Sequence, residues 1–318
     1  MQNLPPDACV LLTRRDVLSL VTWDGLIGAA RRALVEVAAG PTAGASEQVG
    51  VAGASLHLKV GVQKSPAVLS VKANLRPDDG VATGAMLVFD TAAHRLQAIM
   101  PSADITALRT AAVAAVAADH LLPGRPAVAA ILGAGPLARR VDEALAHLGL
   151  TSEVRWWSRS PSSATDAAEA SSTDVPSKIC DTVAAAVDGA DVVITCTPSR
   201  EPILDAEHLG PDALVLAMGA DSPGKRELST QVLEGATQIY ADVPENAFLV
   251  GDCASLGAAV HARVMALGAS LASPGEKSHG RTVFDSVGSS VVDAAVAAML
   301  VEQASRMQIG LPVDLQSA

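Results

Sequence analysis

An apolar, strand-like run that passes directly into a glycine-rich turn and then a helix is the feature that most constrains the fold of this chain. Residues 129–132 are followed by Gly133, Gly135 and Ala138 in the spacing Gly-x-Gly-x-x-Ala, and an amphipathic helical pattern begins at once. Small residues there let the backbone approach a pyrophosphate at the positive end of the helix. The pattern predicts dinucleotide binding by Gly133, Ala134, Gly135, Pro136 and Leu137, and the alternative is a tight turn without a ligand.

The chain after residue 123 alternates short β-rich runs with helical patterns. Six such runs cover residues 128–132, 153–157, 191–195, 214–218, 238–241 and 282–284. This alternation is typical of βαβ units, so it predicts an α/β fold with a Rossmann-type, doubly wound parallel sheet. Pro123 and Gly124 end a long Ala/Val helix and mark the predicted domain boundary.

The chain before that boundary predicts a smaller α+β domain. Residues 14–37 have helical spacing, with Asp16 as the expected N-cap and an interruption at Asp24-Gly25. Residues 41–65 indicate a loop followed by a strand, and residues 68–73 and 84–90 predict two further strands. A last helical pattern over about residues 289–303 could return to this domain.

Composition and charge exclude several classes of partner. The formal net charge is −11 and no basic block occurs, so we expect no nucleic-acid partner. No apolar run is long enough for a membrane span, and no signal peptide is visible, so a cytoplasmic location is expected. The four cysteines and seven histidines are scattered, which predicts neither a disulfide framework nor a metal site.

The end of the second predicted strand indicates which nicotinamide cofactor is preferred. A carboxylate at this point would bind the ribose hydroxyl of NAD, but the strand ends in Ser158, Arg159 and Ser160. Two hydroxyl groups and a guanidinium can bind a 2′-phosphate, which favours NADP(H) over NAD(H). The alternative is a solvated loop arginine.

Three charged residues predict acid–base chemistry on a small anionic substrate. Asp221 follows the strand that ends at Met218, where ligands of such sheets bind, and it could exchange a proton with an amine nitrogen. Alternatively it caps a helix or forms a turn. Lys72 in a predicted strand and Arg109 at the start of a helix could bind a carboxylate, or could be surface cations.

Five motifs, in order, support a family resemblance. They cover residues 106–112 (TALRTAA), 133–138, 195–202 (TCTPSREP), 219–228 (GADSPGKREL) and 284–288 (FDSVG). With these motifs the chain resembles the ornithine cyclodeaminase and mu-crystallin family from about residue 70 to residue 292. The resemblance implies a substrate-binding and dimerisation domain (residues 1–122 and 289–318), a Rossmann domain (residues 123–288) and a homodimer.

The resemblance also implies an activity. The expected protein is an NAD(P)H-dependent oxidoreductase acting on the C–N bond of an imino or amino acid, as an imine reductase or an amino-acid dehydrogenase. The alternatives are a cyclodeaminase with tightly held NAD(P)⁺ and a non-catalytic NADP(H)-binding protein. Lys72 and Arg109 would bind the substrate carboxylate and Asp221 would be the general acid/base, while the expected cofactor contacts beyond the glycine turn are Thr110, Thr195, Thr197, Met218 and Ser286.

One departure from the family pattern concerns the carboxylate site. Members usually carry an arginine near the start of the second segment, whereas residues 41–58 contain none. Lys59 or Lys64 could substitute for it, or the substrate could be a cyclic imine or a specialised metabolite.

Overall fold

The computed structural model describes residues 9–40, 44–77, 82–122, 127–273 and 279–315. The chain forms two compact units, one of Met1–Arg109 with Ser289–Ala318 and the other of Thr110–Gly288. The predicted boundary at Pro123 and Gly124 lies outside the described residues. The units divide instead between Arg109 and Thr110, inside a continuous helix that no turn residue interrupts.

The helices and strands of the described residues are as follows. The helices are α1 (Arg14–Leu20), α2 (Trp23–Ala38), α3 (Ala103–Leu121), α4 (Pro136–His147), α5 (Pro161–Glu169), α6 (Val183–Val187), α7 (Thr230–Glu234), α8 (Pro244–Ala247), α9 (Ala258–His261), α10 (Leu267–Ala272) and α11 (Ser290–Met307). The strands are β1 (Cys9–Leu11), β2 (Gly44–Val51), β3 (Ala54–Gln63), β4 (Val68–Pro77), β5 (Thr83–Asp90), β6 (Arg95–Pro101), β7 (Ala127–Leu132), β8 (Thr151–Trp157), β9 (Ser177–Ile179), β10 (Val192–Thr195), β11 (Leu214–Ala217), β12 (Gln238–Ala241), β13 (Val264–Ala266), β14 (Thr282–Asp285) and β15 (Leu311–Val313).

The first unit is a mixed sheet with helices on one face. Its described strands have the order β15-β1-β6-β5-β4-β3-β2, and β2 to β6 form an antiparallel meander. The final helix α11 packs against β3, β4 and α2. On β4 the residues facing this helix are buried, Ser70 and Lys72 among them, whereas Leu69, Val71 and Ala73 on the opposite face are only partly covered.

Two local predictions for the first unit are wrong. The N-cap of α1 is Thr13, and Asp16 is the third helical residue of a capping box, accepting hydrogen bonds from the Thr13 N–H and hydroxyl. Residues 44–51, predicted as loop, form strand β2. Every residue of β2 is exposed, so its sequence carries no alternation and its register is set by the pairing with β3.

The second unit has the predicted Rossmann-type α/β fold. Its described strands are all parallel, in the order β13-β12-β14-β11-β10-β7-β8-β9. The six predicted strands are present, and the structure adds β9 and β13, which have three residues each and lie at the sheet edges. The chain reverses direction across the sheet between β7 and β10, the place where such sheets bind ligands.

Within the described residues, no helix is both long enough and apolar enough to cross a membrane.

Candidate active site

The glycine turn after β7 lies at this point of chain reversal. Gly133 has φ +127°, and a Cβ there would lie 2.6 Å from the carbonyl oxygen of Cys196, just after β10. The Gly133 N–H donates to the Trp157 carbonyl at the end of β8 (2.8 Å). A glycine is therefore required, because any side chain would push apart the strand ends that form the floor of the site.

The helix that follows the turn begins without a side-chain cap. Its N-cap is Gly135, which makes no side-chain cap hydrogen bond, and Pro136 occupies the first turn. The N–H groups of the first turn carry the partial positive charge of the helix and can bind phosphate oxygens. Leu137 is partly buried and Ala138 is fully buried, so its small side chain allows α4 to pack closely on the sheet.

An open groove begins at Gly133, Ala134 and Gly135. Its other lining residues include Ser158, Arg159, Cys196, Thr197, Ser199 and Ile203. The groove thus joins the carboxyl ends of β7, β8 and β10. An uncapped helix start, a required glycine and a groove along three strand ends fit the pyrophosphate and ribose of a dinucleotide.

The three residues predicted to contact the 2′-phosphate on the cofactor's ribose have different environments. Ser158 and Arg159 line the groove, and the Arg159 side chain is exposed. Ser160 is the N-cap of α5, where its Oγ accepts a hydrogen bond from the Ser163 N–H. Arg159 is therefore the cation that the structure places at the end of β8.

Glu227 organises the ends of β10 and β11, and the sequence analysis did not single it out. Its carboxylate accepts hydrogen bonds from the Thr195 hydroxyl (2.7 Å), the Thr197 N–H (2.6 Å), the Thr197 hydroxyl (2.7 Å) and the Gly219 N–H (2.8 Å). Thr195 and Glu227 are fully buried, whereas Thr197 borders the groove. Met218, predicted as a cofactor contact, is buried, and its N–H donates to the Thr195 carbonyl.

The backbone of Glu227 is hydrogen-bonded to a second buried acid, Asp252. Asp252 Oδ1 accepts hydrogen bonds from the Glu227 N–H (2.8 Å) and the Leu228 N–H (2.7 Å). Burial, together with repulsion from Asp252, raises the pKa of Glu227 to about 7, although the hydrogen bonds from Thr195 and Thr197 oppose the shift. Burial also raises the pKa of Asp252 to about 6.

Asp221 lies on the segment after β11. Its side chain is exposed, and Oδ1 forms an ion pair with Lys225 Nζ (2.5 Å) and accepts a hydrogen bond from the Ser222 hydroxyl (3.1 Å). The Asp221 N–H donates to the Gly219 carbonyl in a tight turn. A Cβ on Gly219 would lie 2.3 Å from the Thr197 carbonyl, so the segment that carries Asp221 begins against the wall of the groove.

The remaining predicted contacts of this unit, Ser286 and Thr110, are buried. The Ser286 hydroxyl donates to Asp242 (2.9 Å), which also accepts hydrogen bonds from the Val287 and Gly288 N–H groups. Thr110 lies in α3. Contact of these residues with a cofactor stays a prediction.

In the first unit, Lys72 and Arg109 meet at a carboxylate that the sequence analysis missed. Lys72 Nζ lies 2.7 Å from Asp293 Oδ2, and Arg109 Nε lies 3.0 Å from Asp293 Oδ1. All three side chains are at least nine-tenths buried, so Lys72 and Arg109 are not surface cations. Within the described residues, Arg109 Nη1 has no hydrogen-bond partner, which leaves a buried donor for an anion.

Burial and pairing shift the pKa values of this cluster. Burial lowers the pKa of Lys72 to about 8, and attraction to Asp293 limits the fall. Burial opposes ionisation of Asp293, but Lys72 and Arg109 outweigh it and hold the pKa of this carboxyl group below its usual value.

The structure distinguishes the two lysines considered for the missing arginine. Lys59 on β3 is directly opposite Lys72 on β4, and the two side chains share the face covered by α11. Lys64 is exposed, and its N–H donates to Glu36.

Comparison with known proteins identifies a family and several relatives of the chain. The model of the ornithine cyclodeaminase/mu-crystallin family matches residues 67–308. The chain is 40% identical to the ketimine reductase mu-crystallin of Rattus norvegicus over 219 residues (68% of this chain and 67% of that protein). It is 30% identical to the iminosuccinate reductase of Paracoccus denitrificans over 236 residues (72% and 73%).

Solved structures resemble the whole chain. The iminosuccinate reductase of Paracoccus denitrificans, in complex with NAD⁺, has a TM-score of 0.88 at 26% identity and covers 97% of this chain and 100% of its own. An archaeal alanine dehydrogenase dimer with bound NAD also gives 0.88, at 25% identity, covering 97% and 99%. By the extent of the family match and by these relatives, the chain belongs to the ornithine cyclodeaminase/mu-crystallin family.

Proposed function

We propose that the protein is an NAD(P)H-dependent oxidoreductase that reduces the C=N bond of an imino acid, or oxidises the corresponding amino acid in the reverse direction. The observation that carries the proposal is the groove from the glycine turn to Thr197, with the segment of Asp221 beginning at its wall. The relatives named as ketimine and iminosuccinate reductases support this reaction class.

Different residues of the chain would bind the cofactor, bind the substrate and transfer the proton. The N–H groups at the start of α4 would hold the pyrophosphate, and Thr197 would border the nicotinamide. Lys72 and Arg109 would bind the substrate carboxylate, using the spare donor on Arg109 Nη1. Asp221, which forms an ion pair with Lys225, would give a proton to the imine nitrogen or accept it in the reverse direction.

A bound reduced nicotinamide supplies the hydride that this reaction needs at the imine carbon. The protein's contribution is orientation and charge. Lys72 and Arg109 would bind the substrate carboxylate, and a proton from Asp221 would neutralise the negative charge that develops on the imine nitrogen.

The reaction is tested by following the absorbance of NADPH with a panel of cyclic and linear imino acids. Consumption of NADPH supports a reductase. Ammonia release from a diamino acid without net change in NADPH would assign a cyclodeaminase instead. Tight NADPH binding with neither reaction would contradict an enzymatic role.

Arg159 supports a preference for NADPH. It is an exposed cation that lines the groove directly after β8, and neither Ser158 nor Ser160 beside it is acidic. A guanidinium here can form charge-assisted hydrogen bonds with a 2′-phosphate.

Replacing Arg159 with alanine should therefore weaken NADPH binding by about tenfold or more and NADH binding by less than about twofold, since a hydrogen bond to a charged group contributes about 1.5–3 kcal/mol. Both affinities can be measured from the fluorescence of the reduced nicotinamide. Arg200→Ala, an exposed arginine on the segment after β10, is the control and should leave the ratio of the two affinities unchanged. Equal losses for both cofactors in Arg159→Ala would contradict the assignment.

We also propose a homodimer that uses the open face of the first unit's sheet. Val49, Leu56 and Leu75 form a cross-strand row on the face opposite Lys72, and Val49 and Leu75 are 47% and 40% exposed. Neighbouring apolar side chains of this face, such as Val71, are only partly covered. An exposed apolar sheet face of this kind is typical of protein interfaces, and the similar archaeal alanine dehydrogenase is described as a dimer.

Leu75→Glu should weaken this dimer by at least about tenfold, because a carboxylate would be desolvated in the interface. Sedimentation over a range of concentrations measures the effect. Leu311→Glu is the matched control, since Leu311 is a 60% exposed leucine on the edge strand β15. A dimer that survives Leu75→Glu but dissociates in Leu311→Glu would place the interface elsewhere.

A further inference from the structure

Each of the two oxygens of the Glu227 carboxylate accepts one hydrogen bond from a backbone N–H and one from a threonine hydroxyl. Oε1 accepts from the Thr197 N–H and hydroxyl, and Oε2 accepts from the Gly219 N–H and the Thr195 hydroxyl. Each oxygen therefore accepts a hydrogen bond from one backbone N–H, a group that can only donate. An ionised carboxylate is an acceptor at both oxygens and satisfies all four donors, whereas protonation places an O–H on an oxygen that faces a backbone N–H.

Those donors belong to two segments that the proposed reaction uses. Thr197 lines the groove, and Gly219 begins the segment that carries Asp221. The two segments touch, since a Cβ on Gly219 would lie 2.3 Å from the Thr197 carbonyl and 2.6 Å from Glu227 Oε2. The buried Glu227 carboxylate therefore accepts hydrogen bonds both from the wall of the groove and from the segment that carries Asp221, the predicted acid/base.

We propose that Glu227 is a positioning residue that, in its ionised form, holds Thr197 and Gly219 in the geometry required for cofactor binding. The inference rests on the proposed function, because it concerns the same nicotinamide site. Glu227 itself is fully buried and acts through the groups that it binds.

The surroundings of Glu227 bring the pKa of its carboxyl group close to neutral pH. Asp252 repels the charged form of Glu227, and the partly buried Cys196 thiol lies close enough to interact with the Glu227 charge. Asp252 in turn is attracted by Arg226 and repels the buried Asp285. On the outer side, Lys225 Nζ contacts the Gly219 carbonyl and the Asp221 carboxylate. Burial, together with the repulsion from Asp252, raises the pKa of Glu227 to about 7, so protonation below that pH would remove an acceptor from the site.

Backbone hydrogen exchange in the cofactor-free protein is the first test. The Thr197 and Gly219 amides should lose protection, after correction for intrinsic exchange, as the pH falls from about 8 to about 6, across the pKa of about 7. Glu227→Gln should show the low-protection state at both pH values, and Glu234→Gln, an exposed glutamate at the end of α7, should behave as wild type. Protection that does not change with pH in the wild type overturns the inference, whether or not the Gln variant folds.

Cofactor affinity is the second test. At about pH 8, Glu227→Gln should bind NADPH about ten times more weakly than Glu234→Gln, as expected for one charge-assisted hydrogen bond. At about pH 6 the ratio should fall to about two, because the control is then largely protonated at Glu227. Taking the ratio cancels the titration of the NADPH phosphate.

The outcomes separate the two proposals. A ratio that is the same at both pH values, in proteins that bind NADPH, overturns the positioning role and leaves the proposed function standing. A wild-type protein that binds neither NADPH nor NADH refutes the proposed function and, with it, the cofactor role of Glu227.

Discussion

Asp221→Asn should lower kcat for imine reduction by about 10³-fold, within the range that general acid–base catalysis contributes, while NADPH affinity changes by less than about twofold. The asparagine keeps the size of the side chain but has no proton to transfer to nitrogen. It also removes the ion pair with Lys225, which is exposed enough to contribute little to stability. Stopped-flow absorbance of NADPH with a reactive imine measures the effect on the reduction step.

Asp205→Asn provides the control for this substitution. Asp205 is an exposed acid of the same unit whose side chain makes no capping hydrogen bond, so the substitution removes a similar charge away from the groove. Its kcat should stay within about twofold of wild type. Wild-type turnover in Asp221→Asn would show that another group supplies the proton.

Asp293→Asn should lower the free energy of unfolding by about 3 kcal/mol near neutral pH, the low end of the range for breaking a buried ion pair. The reason is that Lys72 and Arg109 would then be two buried cations without a counter-charge. The sign of the pH dependence follows from Lys72, whose pKa is lowered to about 8. In the variant the pKa of Lys72 falls below that value, because the attraction of Asp293 is lost, so Lys72 loses its proton at a lower pH than in the wild type. The deficit should therefore shrink as the pH rises towards 8 and stay constant above it.

The urea midpoint at several pH values measures this effect. Asp104→Asn is the matched control, because Asp104 pairs with Arg14 at 2.6 Å but the arginine side chain is 69% exposed. Such a surface pair contributes about 0–1 kcal/mol. If the two variants lost the same free energy at every pH, Asp293 would not be the counter-charge of the buried cluster.

The parts of the fold that could be predicted from sequence are those encoded by neighbouring residues. The central strands of the second unit are continuous apolar runs, and the turn at Gly133 to Ala138 is a local pattern, so both were identified correctly. The strand β6 was missed although it has seven residues. The other missed strands are three residues long (β1, β9, β13 and β15) or exposed (β2). Their strand conformation comes from pairing with a neighbour rather than from their own pattern.

The polar groups that organise the sites depend on distant partners. Glu227 was part of a quoted motif, but its bonds go to Thr195 and Thr197 on another strand end. Asp293 looked like an ordinary residue in the first turn of a helix, although it is the counter-charge of Lys72 and Arg109. For Asp293, an acid within an apolar stretch was the available signal, since such a group requires a partner when it is buried. Glu227 follows Lys225 and Arg226 in the sequence and carried no such signal.

The division of the first unit between two stretches of chain has a consequence for biosynthesis. The helix α11 covers β3 and β4 and brings Asp293 to Lys72, yet it is translated after the entire second unit. While the ribosome is still making residues 110–288, the meander of β2 to β6 lacks its covering helix, and Lys72 lacks its counter-ion. The inserted unit can therefore complete its fold first, and the N-terminal sheet is the region for which a chaperone would be needed during translation.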